Sequence, residues 1–285
     1  MNETKPDTLS EKIDASTLAL FEQELMRAYV WRQTIERPAA ARALFIAAHA
    51  DDVEIGCGGT VLKLLDAGVA ALQVVLTDGR LAASDPALRD AMAARRHEEA
   101  KSVAAHLMMP APEWFAVPEG ELQQPQREAA LIERLAKVLA DFKPDTIFLP
   151  YFFDQHPDHR YANHLLAGAL PRSGLELPRV TVCAFETWSL VPPLWVVDIS
   201  SVWAEKRRLI QLYRSQLELT PYLDLIDQLN TPRVGLAKGK ATAVECFLPF
   251  RGDLYVEKAA TLDLASPRSL RCNVDVSRPA WPPPV

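Results

Sequence analysis

The sequence predicts an α/β fold, a mostly parallel sheet with helices on both faces, built as a single domain with terminal extensions. Three observations predict it. Short β-rich apolar runs recur through the middle of the chain, helical stretches lie between several of them, and 285 residues at 49% apolar can bury the core that a layered sheet needs. Strands alternating with helices are the pattern of βαβ units with right-handed crossovers.

In chain order, residues 1–40 read as a helical extension. Leu18, Phe21, Leu25, Ala28, Trp31 and Ile35 recur at helical spacing and predict one amphipathic helix over Leu18–Ile35. The main domain is expected over 41–255. Its β-rich runs fall at Leu44–Ala48, Leu72–Thr77, Trp114–Val117, Thr146–Pro150, Val180–Phe185 and Trp195–Ile199. Helical patterns occupy Thr60–Ala67, Pro86–Leu107, Arg127–Phe142 and Pro157–Leu170, and Ser201–Leu217 reads as a further helix with Ser201 as its N-cap. Residues 256–285, ending in RPAWPPPV, form no clear element and are expected to be a tail.

Composition narrows the function. A net charge of −6 without any Lys/Arg run argues against a nucleic-acid partner. Cys57, Cys183, Cys246 and Cys272 are scattered without CxxC spacing, which argues against a disulfide framework or a thiolate zinc site. Residues 1–17 lack a signal-type apolar core and no stretch approaches about 18 apolar residues. The expectation is a cytoplasmic protein that does not engage a membrane.

Residues 47–60, AAHADDVEIGCGGT, crowd His49, Asp51, Asp52 and Glu54 where the apolar run Leu44–Ile46 should be ending as a strand. Buried acids cost several kcal/mol unless paired or metal-bound, and ligands of open parallel sheets bind beyond the carboxyl ends of strands. The segment could be a solvated acidic turn, a dinucleotide loop or part of a metal site. Spacing argues against the dinucleotide loop: after Gly56-Cys57-Gly58, Val61 stands where a third Gly or Ala belongs, and the acids ahead of the glycines would repel a pyrophosphate. A second post-strand segment, YFFDQHPDHRYANH (151–164), supplies His156, Asp158 and His159, with Asp154 just upstream. Four of the six histidines, His49, His156, His159 and His164, fall in these two segments, which shifts the balance to a metal site. Imidazole and carboxylate suit zinc, and a catalytic zinc keeps three protein ligands and an open position. His164, five residues beyond His159 and about 140° around a helix from it, is not expected to be a ligand.

AHADD, followed by EIGCGGT, and HPDH resemble the two signatures, A-H-P-D-D and H-x-D-H, of the LmbE-like/PIG-L family of zinc-dependent N-deacetylases. RRHEEAKSVAAHL (95–107) is similar to the family's R-x-x-E-x3-A helix and VPEGEL (117–122) to its P-D-G turn. VVDISSVWAEKRRLIQLYRSQ (196–216) resembles its D-I-x(n)-K-x(n)-S-Q segment and AVECF (243–247) its A-E-x-F. The likeness covers about 43–250 and departs at Ala50, where proline is usual, and at Val53, where many members have glutamate.

The resemblance implies a Rossmann-like fold in which His49, Asp52 and His159 hold Zn²⁺, with Fe²⁺ or another divalent ion also open, and a water in the fourth place. It leaves Asp51 as general base, gives His156 the role of oxyanion stabiliser or general acid, and gives Asp158 that of orienting a histidine. The alternative for Asp158 is a favourable charge at a helix N-terminus beside Pro157, and both can hold together. Arg96 is a candidate anchor for substrate, with pairing to Glu99 on its own helix as the alternative, and Glu119 is a candidate acceptor for a sugar hydroxyl. Gly56, Gly58 and Gly59 are read as permitting positive φ and close approach. Thr77 and Asp78 are weaker crevice candidates, and Ser215 and Gln216 are expected to be structural. The expected reaction is hydrolysis of an N-acetyl (N-acyl) group from a small amino sugar or glycoconjugate. The alternatives are a metal phosphoesterase and a non-catalytic sugar-binding relative, and a homo-oligomer using the Leu18–Ile35 helix or the tail stays open.

Overall fold

The structure, a computed structural model, describes Gln23 and residues 31–262. Strands β1 (Gln33–Ile35), β2 (Arg42–Ala47), β3 (Ala70–Thr77), β4 (Glu113–Val117), β5 (Thr146–Pro150), β6 (Thr181–Phe185), β7 (Trp195–Asp198) and β8 (Val244–Arg251) form one sheet. The order is β1-β7-β8-β6-β5-β2-β3-β4. Every pairing is parallel except the two made by β8, which runs antiparallel between β6 and β7. The helices are α1 (Asp52–Asp66), α2 (Arg89–His106), α3 (Pro125–Phe142), α4 (Pro157–Ala169), α5 (Trp203–Gln211), α6 (Arg214–Leu217), α7 (Tyr222–Asn230) and α8 (Gly252–Thr261).

Side chains alternate across each strand, so both faces of a central strand must be apolar when both are covered. Leu44 and Ile46 of β2 face α3, α4 and α8, while Phe45 and Ala47 face α1, α2 and α5. The expected doubly covered, mostly parallel sheet is therefore present. Among the described residues no helix is long and apolar enough to cross a membrane.

The departures from expectation are local and have physical causes. The predicted Leu18–Ile35 helix lies outside the described residues except for Gln23 and 31–35; of these, Gln23 and Trp31 are helical, as expected, whereas Gln33–Ile35 forms an edge strand whose register is fixed by β7. Strand β8 carries no alternating signal: its interior is buried on both faces and it contains Glu245 and Pro249, residue types that argue against a central strand. Helix α8 follows it directly and runs through position 255. The expected Ser201–Leu217 helix is broken into a 3₁₀ turn at Ser200–Val202, then α5 and α6.

Helix α1 begins at Asp52, not Thr60, and is kinked at Cys57 (φ −144°, ψ 20°). Positive φ occurs at other glycines, Gly68 and Gly79 among them, so the role expected of Gly56, Gly58 and Gly59 reduces to close approach. A Cβ at Gly56 would stand 2.6 Å from the Glu186 carbonyl oxygen, and one at Gly59 2.7 Å from Ile199. The kink opens the helical ladder, and a buried ion pair fills the gap. The Gly59 and Thr60 amides donate to the two oxygens of Glu245 at 2.8 and 2.7 Å. The Ile55 carbonyl, four residues before Gly59, accepts from Lys206 Nζ at 2.8 Å. Lys206 also donates to Glu245 Oε1 at 2.7 Å and to Asn230 Oδ1 at 2.9 Å, which uses all three of its protons. Backbone freed by a kink needs such partners, and here they come from α5 and β8.

Candidate active site

The chain passes from β2 to β3 on one side and later returns to β5 on the other, so the sheet order switches direction between β2 and β5. A crevice opens beyond the strand ends at such a point. The loop after β2 delivers His49, Asp51 and Asp52. The segment after β5 delivers Asp154, then His156 as N-cap of α4 with Pro157 in the first turn, then Asp158 and His159. Loops more than a hundred residues apart meet here because their strands are hydrogen-bonded neighbours.

The meeting is close. Asp52 Oδ1 lies 3.2 Å from His159 Nε2, and Asp52 Oδ2 lies 3.6 Å from His49 Nδ1 and accepts from the His49 amide at 2.8 Å. The His49 ring centroid is 5.5 Å from that of His159 and 4.6 Å from that of His156. His49 Nε2 is also 3.4 Å from both Glu119 Oε1 and Asp158 Oδ2. Burial alone would discharge these imidazoles, but Asp52 and the other carboxylates outweigh it, raising His49 well above its ordinary range and His159 to about 9. Against its own burial, Asp52 is held well below the usual carboxylate range by His159 and His49, and Glu119 is held at about 2 by His49 and Arg96.

These residues fit a divalent cation. Donor atoms of His49, His156 and His159 lie within 4.8 Å of one another, as do those of His49, Glu119, His156 and Asp158. His49 Nε2 and His159 Nε2 are buried without a hydrogen-bond partner, a state that costs free energy unless something else satisfies them. The nearby carboxylates supply the negative charge that such an ion needs.

The other candidates fall on the rim or behind it. Arg96, nearly fully buried, donates from Nη2 to Asp51 Oδ1 at 2.7 Å. It has room because Gly79 (φ +68°) has no Cβ, which would otherwise lie 2.6 Å from the Arg96 side chain. The alternative Arg96–Glu99 pairing gives way to a different one: Glu99 accepts from the amide and hydroxyl of Ser215 at 2.8 and 2.5 Å, tying α2 to α6. Asp51 Oδ2 is buried without a partner. Glu119 is fixed through Oε2 by the Leu81 amide at 2.9 Å, which leaves Oε1 toward His49. Thr77 is fully buried, its hydroxyl bonded to the Ala48 carbonyl, and Asp78 braces Arg80 and the Glu119 amide, so both lie behind the crevice. A cavity of about 340 Å³ opens over the cluster, with His49, Asp51, Arg96, Glu119 and His156 on its inner walls.

Several contributors had no role assigned from the sequence. Asp154, fully buried, lies with Oδ1 3.1 Å from His159 Nδ1, a charge contact beside that ring, while Asp158 faces His49. Asp154 Oδ1 also accepts from the His156 amide, and its Oδ2 accepts from the amides of Trp188 and Ser189. An acid two positions before a histidine is a faint signal; the Trp188 loop carries none. Tyr213 reaches in from the break between α5 and α6. Its hydroxyl lies 2.6 Å from the Ala50 carbonyl and 2.9 Å from Glu54 Oε2. A phenol has one proton to give, so Tyr213 serves Ala50 and accepts from a protonated Glu54, whose carboxyl is pushed up to about 8 by burial.

Fold and site define an α/β enzyme whose imidazoles and carboxylates converge at the carboxyl edge of the sheet. Its relatives make the class specific. Residues 44–170 match the family of PIG-L, GlcNAc-PI de-N-acetylase. The diacetylchitobiose deacetylase of Thermococcus kodakarensis is 30% identical over 189 residues, covering 61% of this chain and 70% of that one. The chain belongs to the PIG-L (LmbE-like) deacetylase family. Among solved structures, the N,N'-diacetylchitobiose deacetylase from Pyrococcus horikoshii, complexed with its inhibitor, aligns with a TM-score of 0.63 at 25% identity, over 88% of this chain and 96% of that one. GalB, the 4-carboxy-2-hydroxymuconate hydratase from Pseudomonas putida KT2440, aligns at 0.57 and 24% identity over 73% and 95%. That second likeness is one of fold alone.

Proposed function

We propose that this chain hydrolyses the N-acetyl (N-acyl) group of an amino sugar or its conjugate, with His49, Asp52 and His159 holding a divalent metal, zinc foremost. One observation carries the reading: beside the orphaned imidazole nitrogens, Asp51 spends Oδ1 on Arg96 and keeps a buried, unpartnered Oδ2 at the cavity. The metal, when bound, supplies a Lewis acid for the amide carbonyl and lowers the pKa of a water toward about 7.

The side chains do the rest. Arg96 holds Asp51 so that Oδ2 takes a proton from the attacking water and returns it to the nitrogen as the C–N bond breaks, giving acetate and a free amine. His156 accepts from the Asp158 amide at Nδ1, 3.2 Å away, so its neutral ring carries the proton on Nε2. Burial, with His49 and His159 alongside, holds His156 down at about 3, so it stays a neutral donor suited to a developing oxyanion. His159, fully buried, suits a ligand; His156, partly exposed on the cavity wall, suits contact with substrate.

The test is acetate release from N-acetylated monosaccharides, nucleotide sugars and glycosides by metal-loaded protein, with a chelated control. Release that disappears with the metal supports the reading. A metal-replete protein that frees no acetate from any of them sinks it.

A further inference from the structure

At about 340 Å³ the cavity is near the lower end of ligand pockets, which run from about 300 to 1,000 Å³. That one cavity is lined by His49, Asp51 and His156 and also by Leu81, Trp188 and Leu219, so a group attached to a sugar whose amide lies at Asp51 meets these apolar side chains.

The mouth differs in chemistry from the floor. Three loops, distant in sequence, each place an exposed large apolar side chain there: Leu81 at 42% exposed, Trp188 at 38% and Leu219 at 57%. Apolar side chains scattered singly over a surface need no explanation, but three converging on one opening do. Trp188 is also held in place. Its amide and that of Ser189 donate to Asp154 Oδ2 at 3.0 and 3.1 Å, Ser189 Oγ accepts from the Gln155 amide at 3.0 Å, and the Val191 amide donates to Glu186 Oε1 at 2.8 Å. Glu186 is buried and paired in turn with Arg233. Behind the indole stands Tyr222, its ring centroid 6.2 Å away, seated in an apolar cluster with Ile226 and Leu229. An aromatic fixed in advance by its backbone has little ordering entropy left to lose on binding.

We propose that Trp188, with Leu219 and Leu81, forms a second subsite that grips a group attached to the reacting sugar by its apolar face. The chemistry it selects is a flat or aliphatic non-polar surface, such as the C–H face of a second pyranose or an aryl or alkyl aglycone. Charged and phosphorylated substituents gain nothing there. This rests on the deacetylase reading for what fills the inner cavity. The same carboxylate that binds the Trp188 loop, Asp154, faces His159, so the subsite is in fixed register with the reacting end.

The experiment compares kcat/KM for free N-acetylglucosamine with that for N,N'-diacetylchitobiose and for p-nitrophenyl and octyl glycosides of N-acetylglucosamine, in wild type, W188A and W188F. Wild type should prefer at least one conjugated class by about fivefold or more, the worth of a good aromatic contact. W188A should lower that ratio toward one, mainly through KM, and W188F should restore much of it. The class preferred tells a sugar face from an aglycone. A conjugate-to-free ratio that is the same in all three proteins overturns the proposal, as does a wild type that prefers the free sugar. Binding of the p-nitrophenyl glycoside is read separately, as quenching of indole fluorescence that is present in wild type and lost in W188F. If no N-acetyl sugar is hydrolysed but this Trp188-dependent quenching remains, the deacetylase reading fails and the subsite stands; if hydrolysis proceeds without it, the reverse holds.

Discussion

Two clusters of charge lie buried within a few residues of each other along α1, and they differ in one respect. In the clamp at the Cys57 kink, Lys206, Glu245 and Asn230 satisfy one another and the broken helical ladder, and Lys206 has no proton left over. In the cluster at the start of the same helix, His49 Nε2, His159 Nε2 and Asp51 Oδ2 are equally buried and have no hydrogen-bond partner. Both regions cost desolvation energy. The clamp recovers it in the fold, whereas the cluster holds its imidazoles in carboxylate contacts without completed hydrogen bonds, with His49 and Asp51 at the cavity wall. Completeness of hydrogen bonding, more than burial or charge, separates scaffold from site here.

The contrast breaks most easily at Asp51. D51N keeps an acceptor for Arg96 but removes the charge that would take a proton. Deacetylase turnover should fall about 10²- to 10⁴-fold while metal content, read by elemental analysis, is retained. Activity within tenfold of wild type would remove Asp51 as the base.

The clamp should respond in stability. K206M strands Glu245 as a buried unpaired charge and should cost about 3–5 kcal/mol in denaturant unfolding, and K206M/E245Q, which removes the charge but turns an amide NH2 toward the Gly59 or Thr60 N–H, should recover only part of it. A single variant as stable as wild type would show that the kink does not depend on the pair.

Asp154 links the regions, being well satisfied itself while facing an unsatisfied ring. D154N should weaken metal binding about 10- to 100-fold, measured by competition with a chromogenic chelator, and unaltered affinity would contradict its role beside His159.

The smallest effect concerns Glu54. Its folded pKa of about 8 lies above the ordinary 4.5, so the folded chain holds a proton that the unfolded chain loses, and stability is full below pH 4.5 and declines toward pH 8. E54Q, which keeps a neutral donor to Tyr213, should flatten that decline. Parallel melting-temperature profiles for the two proteins from pH 5 to 8 would refute it.

The strand and helix succession of the parallel half was legible because each element there repeats a local pattern, and Thr146–Pro150 was bounded correctly from sequence. The antiparallel β8 was not, since a strand buried on both faces with Glu245 and Pro249 inside it has neither alternation nor favourable propensity. The crowding of His49, Asp51, Asp52, His156, Asp158 and His159 into two post-strand segments was likewise visible, because chemistry of this kind needs rare residue types in short runs. What the sequence determined alone was therefore the local pattern and the chemical inventory. The partner of each polar atom was a tertiary decision: Arg96 turns to Asp51 and not Glu99, Asp154 takes His159 while Asp158 faces His49, and Lys206 meets Ile55 and Glu245. Such pairings depend on which strand ends lie side by side, and only the assembled sheet brings Asp158 to His49, Ser215 to Glu99 and Lys206 to Ile55 across a hundred or more positions.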